Sequence, residues 1–386
     1  MRADAQTGDI MNPDTLRANF PITEHAIYMD HAAVSPISMG VQAAMSRQTS
    51  IQVHNMTTSG RLFAQEYSDL REAISRMTGA KPTTVAFIQN TSHGLSLIAN
   101  GQQWKHGDNV VVPALDFPSN FLPWKRLESL GVECRVVEAV DGRVTADAVS
   151  PVLDGRTRIV AMSGVQYFNG YRPDLAAIAE LAHDNGAFLV VDGTQGAGAF
   201  DFNLSTLGID ALVVSAHKWM LGPLGIGFMA LSDALLERTE PTEVGWLSVN
   251  DPFAFRRELD WLPSAQKLEP GTENSAGLFG LMERFREIEA FELPLISNRI
   301  LKLNDLFADG LKGLGCTVTS PWEEGRRSGI LTFHHPKVDP ASTVQTLKER
   351  GIFTSARHGN IRISPHYYNS EAEVREVIDQ ISGFIA

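Results

Sequence analysis

Residues 187–230 constrain this chain more than any other stretch. They hold two apolar, β-branched runs, AFLVVD and IDALVVS, and each closes on polar residues. The first ends at Asp192; the second ends at Ser215, followed by His217 and Lys218. In parallel α/β sheets ligands bind outside the carboxyl ends of the strands. Asp192 and Lys218 are therefore expected to meet at one ligand although they are far apart in the chain.

The rest of the sequence repeats the same alternation. IYMDHAAVSP reads as a short strand and turn, followed by a long helical stretch over about 38–79 that stops at Gly79. TVAFIQNTSHGLSLIANG reads as strand, polar turn and helix. NVVVPALDFPSNFLPWKRLESLG, ECRVVEA, TRIVAMSGVQ and the helix PDLAAIAELAHDNG continue the series. Strands interleaved with helical patterns imply βαβ units and a mainly parallel sheet. After Leu231 the pattern loosens into an irregular connection over 240–275, rich in Pro, Gly and Trp. A long helix is expected over about 276–314, then the strands CTVTS, GILTFHH and NIRISP with helices at 340–350 and 370–385. The expected class is α/β, with a smaller α+β C-terminal domain. The expected division is an N-terminal segment 1–28 packing with the small domain, a large domain 29–275 and a small domain 276–386. Residues 1–12 are polar and aperiodic.

At 386 residues the chain is too long for one simple core. Its 43% hydrophobic and 20% charged residues are those of an ordinary globular protein. A net charge of −12 argues against nucleic acid or an anionic membrane as partner, and no apolar run is long enough to span a bilayer. No secretory signal is visible, and Cys134 and Cys316 sit in strand-like runs that suggest no disulfide framework. A cytoplasmic location is expected.

Asp192 taken alone has a plain reading as a helix N-cap. Lys218, in SAHKWMLGP, is flanked by apolar runs, where an amine loses solvation, titrates lower and becomes a nucleophile for imine formation. A carboxylate and a lysine on neighbouring strand ends suit a pyridine aldehyde, the lysine as Schiff base and the acid at the ring nitrogen. Gly222, Gly225 and Gly227 allow close backbone approach around the lysine. Asn90-Thr91-Ser92-His93-Gly94 follows a strand and opens a helix, whose free N–H groups and dipole favour an anion; an ordinary helix cap explains the same residues. His334 and His335 lack further ligands at metal spacing, so no metal is expected. Gly193, Gly196 and Gly198 do not make GxGxxG, which weakens a nicotinamide-dehydrogenase reading.

Together these motifs, from YMDHAAVSP to RISPHYYNSEAEV, resemble the class V aminotransferase family, the fold-type I pyridoxal-phosphate enzymes that include cysteine desulfurases, selenocysteine lyases, kynureninase and isopenicillin N epimerase. The resemblance implies a seven-stranded-type sheet sandwiched by helices and pyridoxal 5'-phosphate as cofactor. It implies Lys218 as the Schiff-base lysine, Asp192 at the ring nitrogen and Gln195 at the phenolic oxygen. It places Thr91, Ser92, Ser215 and His217 around the phosphate and Phe117 against the ring. Thr272, in LEPGTENS, matches a residue lent to the neighbouring subunit's phosphate, which implies a homodimer. Arg362 matches the arginine for the substrate α-carboxylate, Arg357 and His358 border the same pocket, and His31 and His54 line it by family position.

Two departures bear on the reaction. Desulfurases of this family carry a histidine where this chain has Phe117, and a nucleophilic cysteine in or near the loop around Arg357, where this chain has none. A persulfide mechanism needs an accessible thiolate. The sequence therefore points to an enzyme acting on an amino acid or related amine through an external aldimine and a Cα carbanion. An aminotransferase is favoured, with a C–S lyase or an epimerase next and a persulfide-forming desulfurase disfavoured. A non-catalytic protein that keeps the fold for binding is the alternative of another class.

Overall fold

The computed structural model describes residues 13–55 and 63–385, so the N-terminal stretch 1–12 lies outside the described residues. A two-residue strand, β1 (Ile27–Tyr28), precedes the seven strands of the central sheet. These are β2 (Val85–Ile88), β3 (Asn109–Pro113), β4 (Glu133–Val137), β5 (Thr157–Ser163), β6 (Phe188–Asp192), β7 (Ala211–Ser215) and β8 (Gly227–Leu231). Their spatial order is β2-β8-β7-β6-β5-β3-β4. Only β8 runs against its neighbours; the other pairings in the sheet are parallel. The two runs that opened the sequence reading are the adjacent central strands β6 and β7, in register with Asp192 opposite Val213.

Strands buried on both faces read as continuous apolar runs. In β7 every residue is buried, and separate apolar cores fill the two faces of the sheet. One core includes Leu189, Val191, Leu212 and Val214; the other includes Val110, Ile159, Val190 and Val213. The alternation along β6 and β7 thus feeds two helix layers at once. Gly227 faces β7 so closely that a Cβ there would lie 2.1 Å from the Val214 carbonyl oxygen.

A second, antiparallel sheet has the order β12-β13-β10-β9, built from β9 (Thr317–Val318), β10 (Leu331–His334), β12 (Ser355–Arg357) and β13 (Asn360–Ile363). Helices Leu293–Gly313 and Glu371–Ile385 cover it through Leu303, Phe307, Val374, Val377 and Ile381. β1 pairs in parallel with β11 (Ile352–Phe353), which ties the start of the described chain to this C-terminal part.

Two helices expected as single elements are each divided. The stretch near 38–79 contains helices Met39–His54 and Ala64–Thr78. The helix expected over 276–314 breaks into Ser275–Phe291 and Leu293–Gly313. Glu292 adopts φ +60° at the break and Pro294 opens the second helix, where its missing N–H costs no hydrogen bond. Helix Ser275–Phe291 then lies against Met39–His54 and joins the central core through Leu278, Leu281, Phe285 and Ile288. Among the described residues no helix is long and apolar enough to cross a membrane.

Candidate active site

Lys218 sits on the connection that turns back from β7 into β8. This loop is fastened along its length. The Ala216 N–H donates to the Ile226 carbonyl (3.0 Å), the Gly222 N–H to the Ala216 carbonyl (2.8 Å) and the Leu221 N–H to the Lys218 carbonyl (2.8 Å). Other elements bond the loop's remaining carbonyls. Ser35 N–H reaches His217 O (2.7 Å), His366 Nε2 reaches Trp219 O (3.0 Å) and Arg284 Nε reaches Met220 O (2.6 Å). Trp219 Nε1 donates to Gln195 Oε1 (3.0 Å). Leu221 is held at φ +51°, a conformation that side chains with a Cβ rarely adopt. Held this way, the lysine faces a cavity of about 300 Å³.

That cavity brings together Asn90, Thr91, Ser92, Phe117, Asp192, Gln195, Ser215, His217, Lys218, Arg357 and Arg362. Desolvation lowers the Lys218 amine to about 8, helped by the cationic Arg362 and Arg357 and opposed by Asp192 and Asp30. Burial pushes the Asp192 carboxyl up, while the Thr194 N–H, the Thr194 hydroxyl and Lys218 pull it down. His217 is lowered to about 4 by burial and by Lys218 beside it.

Three hydroxyls form a knot at the start of helix Thr91–Gly101. Thr91 Oγ1 lies 2.6 Å from Thr194 Oγ1 and 2.8 Å from Ser215 Oγ, and the Thr91 N–H donates to Ser215 Oγ (2.7 Å). Asn90 caps this helix by accepting from the His93 N–H (3.0 Å). Ser92 is exposed at the cavity and bonds Ser119 (2.8 Å). Hydroxyl donors beside a helix N-terminus are the chemistry a phosphate requires. Gln195 gives one N–H to the Ala32 carbonyl (2.9 Å), and its second has no partner among the described residues. Phe117 is 41% exposed, and the Lys218 amine lies 5.1 Å from its ring centroid.

Arg362 is buried at 1% exposure and already partly engaged: Nε donates to Ser355 Oγ (3.1 Å), Nη1 to the Tyr167 carbonyl (2.8 Å) and Nη2 to Asp30 (3.2 Å). Five donors leave two for a ligand. Arg357, half-buried, bonds only the Ala356 carbonyl (2.7 Å) among the described residues.

Three expected site residues lie elsewhere. His31 is fully buried with both ring nitrogens used, by the Ser364 carbonyl and the Tyr368 hydroxyl (2.7 Å each), and burial lowers it to about 4. It is a core histidine. His54 is exposed at the end of its helix and does not line the cavity. Thr272 is exposed on a different cavity of about 600 Å³, shared with Glu269, Glu243 and His93.

Several residues escaped the sequence reading. Thr194 bonds Asp192 and the hydroxyl knot, and its place two residues after the strand-end acid was the available signal. Asp116 accepts from Asn120 Nδ2 (2.7 Å), the Ser163 N–H (2.8 Å) and Gln166 Nε2 (2.6 Å), so it clips the Phe117 loop to the end of β5. Arg284 is wholly buried beneath the lysine loop and bonds Glu287 (2.8 Å) and Tyr367 (3.1 Å).

Comparison with known proteins decides what this site belongs to. Residues 27–377 match the family described as Aminotransferase class-V. The chain belongs to the class-V aminotransferase family. A probable cysteine desulfurase of Methanothermobacter thermautotrophicus is 28% identical to it over 403 residues, covering 97% of this chain and 99% of that one. Among solved structures, an apo cysteine desulfurase from Thermococcus onnurineus NA1 superposes with a TM-score of 0.89 at 26% identity, covering 97% and 98%. A C-DES mutant with glycine covalently linked to its PLP cofactor superposes with a TM-score of 0.89 at 20% identity over 95% and 98%, a likeness of fold.

This class-V chain is a pyridoxal-phosphate-dependent enzyme, and its residues fit the cofactor: a desolvated lysine, a strand-end carboxylate and a hydroxyl-lined helix start face one cavity. The expectation of an aminotransferase, with a lyase or epimerase ahead of a desulfurase, is overturned by relatives named cysteine desulfurases along nearly the full chain. The error has a physical source. A missing loop thiol bears on one reactant, the acceptor for sulfur, and leaves untouched the lysine, carboxylate and arginine that line the cavity, Lys218, Asp192 and Arg362.

Proposed function

We propose that this chain cleaves the Cβ–S bond of cysteine as a homodimeric enzyme of the desulfurase kind. The observation that carries the reading is full-length likeness to cysteine desulfurases combined with Lys218, Asp192 and Arg362 around one cavity. Bound pyridoxal phosphate supplies the electron sink for the substrate's Cα electrons. Arg362 orients the substrate carboxylate with its two spare N–H donors. Lys218, whose amine burial lowers to about 8, takes and returns the Cα proton. Asp192 would keep the ring nitrogen of the cofactor protonated, and Phe117 would offer it an aromatic face. Thr91, Ser92, Ser215 and His217 hold the phosphate.

Support for the dimer comes from Thr272, exposed on its own cavity, and from exposed Leu224 (67%) and Trp246 (45%), apolar side chains of the kind that pairing buries. Two free cysteines fit the reducing cytoplasm. The test is incubation of the loaded enzyme with L-cysteine and a reducing thiol, with alanine and released sulfur, as sulfide plus persulfide, both measured. Equal amounts of the two are expected, and K218A should yield neither. Cysteine that stays intact in the presence of cofactor-loaded wild-type protein overturns the reading.

A further inference from the structure

The desulfurase reading leaves one reactant without a source in this chain: the nucleophile that accepts the sulfur. The sequence has two cysteines, and both are placed away from the cavity. Cys134 lies near the start of the edge strand β4, opposite Val110, whereas the cavity sits at the far ends of β6 and β7. Three strand spacings separate β4 from β6, roughly 14 Å sideways. Cys316 is buried just before β9, three strands from β12, which carries Arg357. Burial raises both thiols, the opposite of what activates a sulfur nucleophile.

The β12–β13 hairpin, which brings Arg357 to the rim of the cavity, is too short to carry a thiol inward. β12 and β13 pair through Arg357 opposite Asn360, which leaves only His358 and Gly359 as the turn. Both have positive φ, +47° and +75°, the geometry of the tightest hairpin turn. His358 occupies a conformation unusual for a residue with a Cβ, and the turn presents it exposed at the rim. Its Nε2 lies 2.9 Å from the Tyr167 hydroxyl, and its ring is 5.3 Å from that of Phe168. Tyr167 in turn packs edge-on against Phe117, 5.4 Å between centroids, and lines the cavity. Arg357 is adjacent and forms no ion pair among the described residues.

We infer that the sulfur acceptor is a separate, small anionic thiol that enters at this rim, where Arg357 holds its negative charge and His358 removes its proton. The inference rests on the desulfurase reading. In the tautomer whose Nε2–H donates to Tyr167, the His358 Nδ1 is free to accept the thiol proton. The acceptor thiolate attacks the sulfur of bound cysteine. An S–S bond forms and the Cβ–S bond breaks, its electron pair remaining with the carbon skeleton. That skeleton gains the proton taken from the thiol and leaves as alanine, and the acceptor leaves as a persulfide. The acceptor sulfur and the transferred sulfur are each oxidised by one electron and the β-carbon is reduced by two, so no further reagent is needed.

The test uses the loaded full-length enzyme with limiting L-cysteine and three added thiols: 3-mercaptopropionate, 2-mercaptoethanol and cysteamine. Persulfide is located by mass spectrometry after alkylation, and alanine is counted. C134S/C316A protein should keep its turnover, with the persulfide on the added thiol. 3-Mercaptopropionate should show a KM at least about tenfold below that of cysteamine, the scale of one charge-assisted contact. R357A should abolish that preference. H358Q should slow turnover near pH 7 and recover as pH rises through the thiol's own titration. Alanine formation with persulfide on Cys134 or Cys316, or equal KM values for the three thiols, overturns the inference and leaves the desulfurase reading intact. No alanine with any thiol takes down both.

Discussion

The buried amine of Lys218 should weaken the apo fold, and replacing it should strengthen it. Its ordinary value of 10.5 falls to about 8 in the folded chain, chiefly through desolvation. Below pH 8 both folded and unfolded chains carry the proton, and the folded state bears the full cost of a desolvated cation. Between 8 and 10.5 the unfolded chain alone holds the proton, so stability rises with pH; above 10.5 the cost has vanished. Linkage puts the cost at about 3 kcal/mol at pH 7 and roughly 1.4 kcal/mol at pH 9.5. K218M keeps an unbranched side chain of similar length without the charge. Urea unfolding of cofactor-free wild type and K218M at both pH values should therefore show the variant ahead by up to about 3 kcal/mol at pH 7, with the gap roughly halved at pH 9.5. A variant no more stable than wild type at pH 7, or a gap that does not narrow, would refute the argument. An advantage for the variant would mean that the reactive amine is maintained against stability.

Two other perturbations test the frame of the site. Arg71 Nη2 bonds Glu269 (2.6 Å), which also accepts from the Phe87 N–H (2.7 Å), and burial raises Glu269 to about 7. R71A strands a buried carboxylate and should cost about 3–5 kcal/mol in the urea midpoint at pH 8. A carboxyl raised in the fold is discharged as pH falls through that value, so the deficit should be smaller at pH 6. D116N places an amide against three N–H donors and should cost about 1–3 kcal/mol in chemical denaturation at pH 8. An unchanged midpoint would show that Asp116 does not anchor the Phe117 loop.

The legible parts of the molecule were those with a local cause. β6 and β7 announced themselves because each apolar run feeds a core on both faces, and strand-end placement put Asp192 and Lys218 at one cavity. Asp116, Asp30 and Arg284 were not legible, since each owes its place to partners distant in sequence. His31 carried no mark separating a core histidine from a ligand, because Ser364 and Tyr368 satisfy it from the other end of the chain. The break at Glu292 left a trace in Pro294, yet apolar spacing ran straight across it. The reaction was misread where a missing thiol was weighed against the whole chemistry instead of against one reactant.

The lysine loop leaves the centre of the sheet at Ser215 and re-enters it at Gly227, directly opposite. Between those points its carbonyls are bonded by Ser35, Arg284 and His366, which come from three distant parts of the sequence. The reactive amine therefore belongs to the same cooperative unit as the core, whereas the turn residues His358 and Gly359 are exposed. Loss of the lysine's geometry on warming would coincide with collapse of the sheet, so cofactor release would report global melting, while acceptor selectivity at the rim could fade at lower temperature.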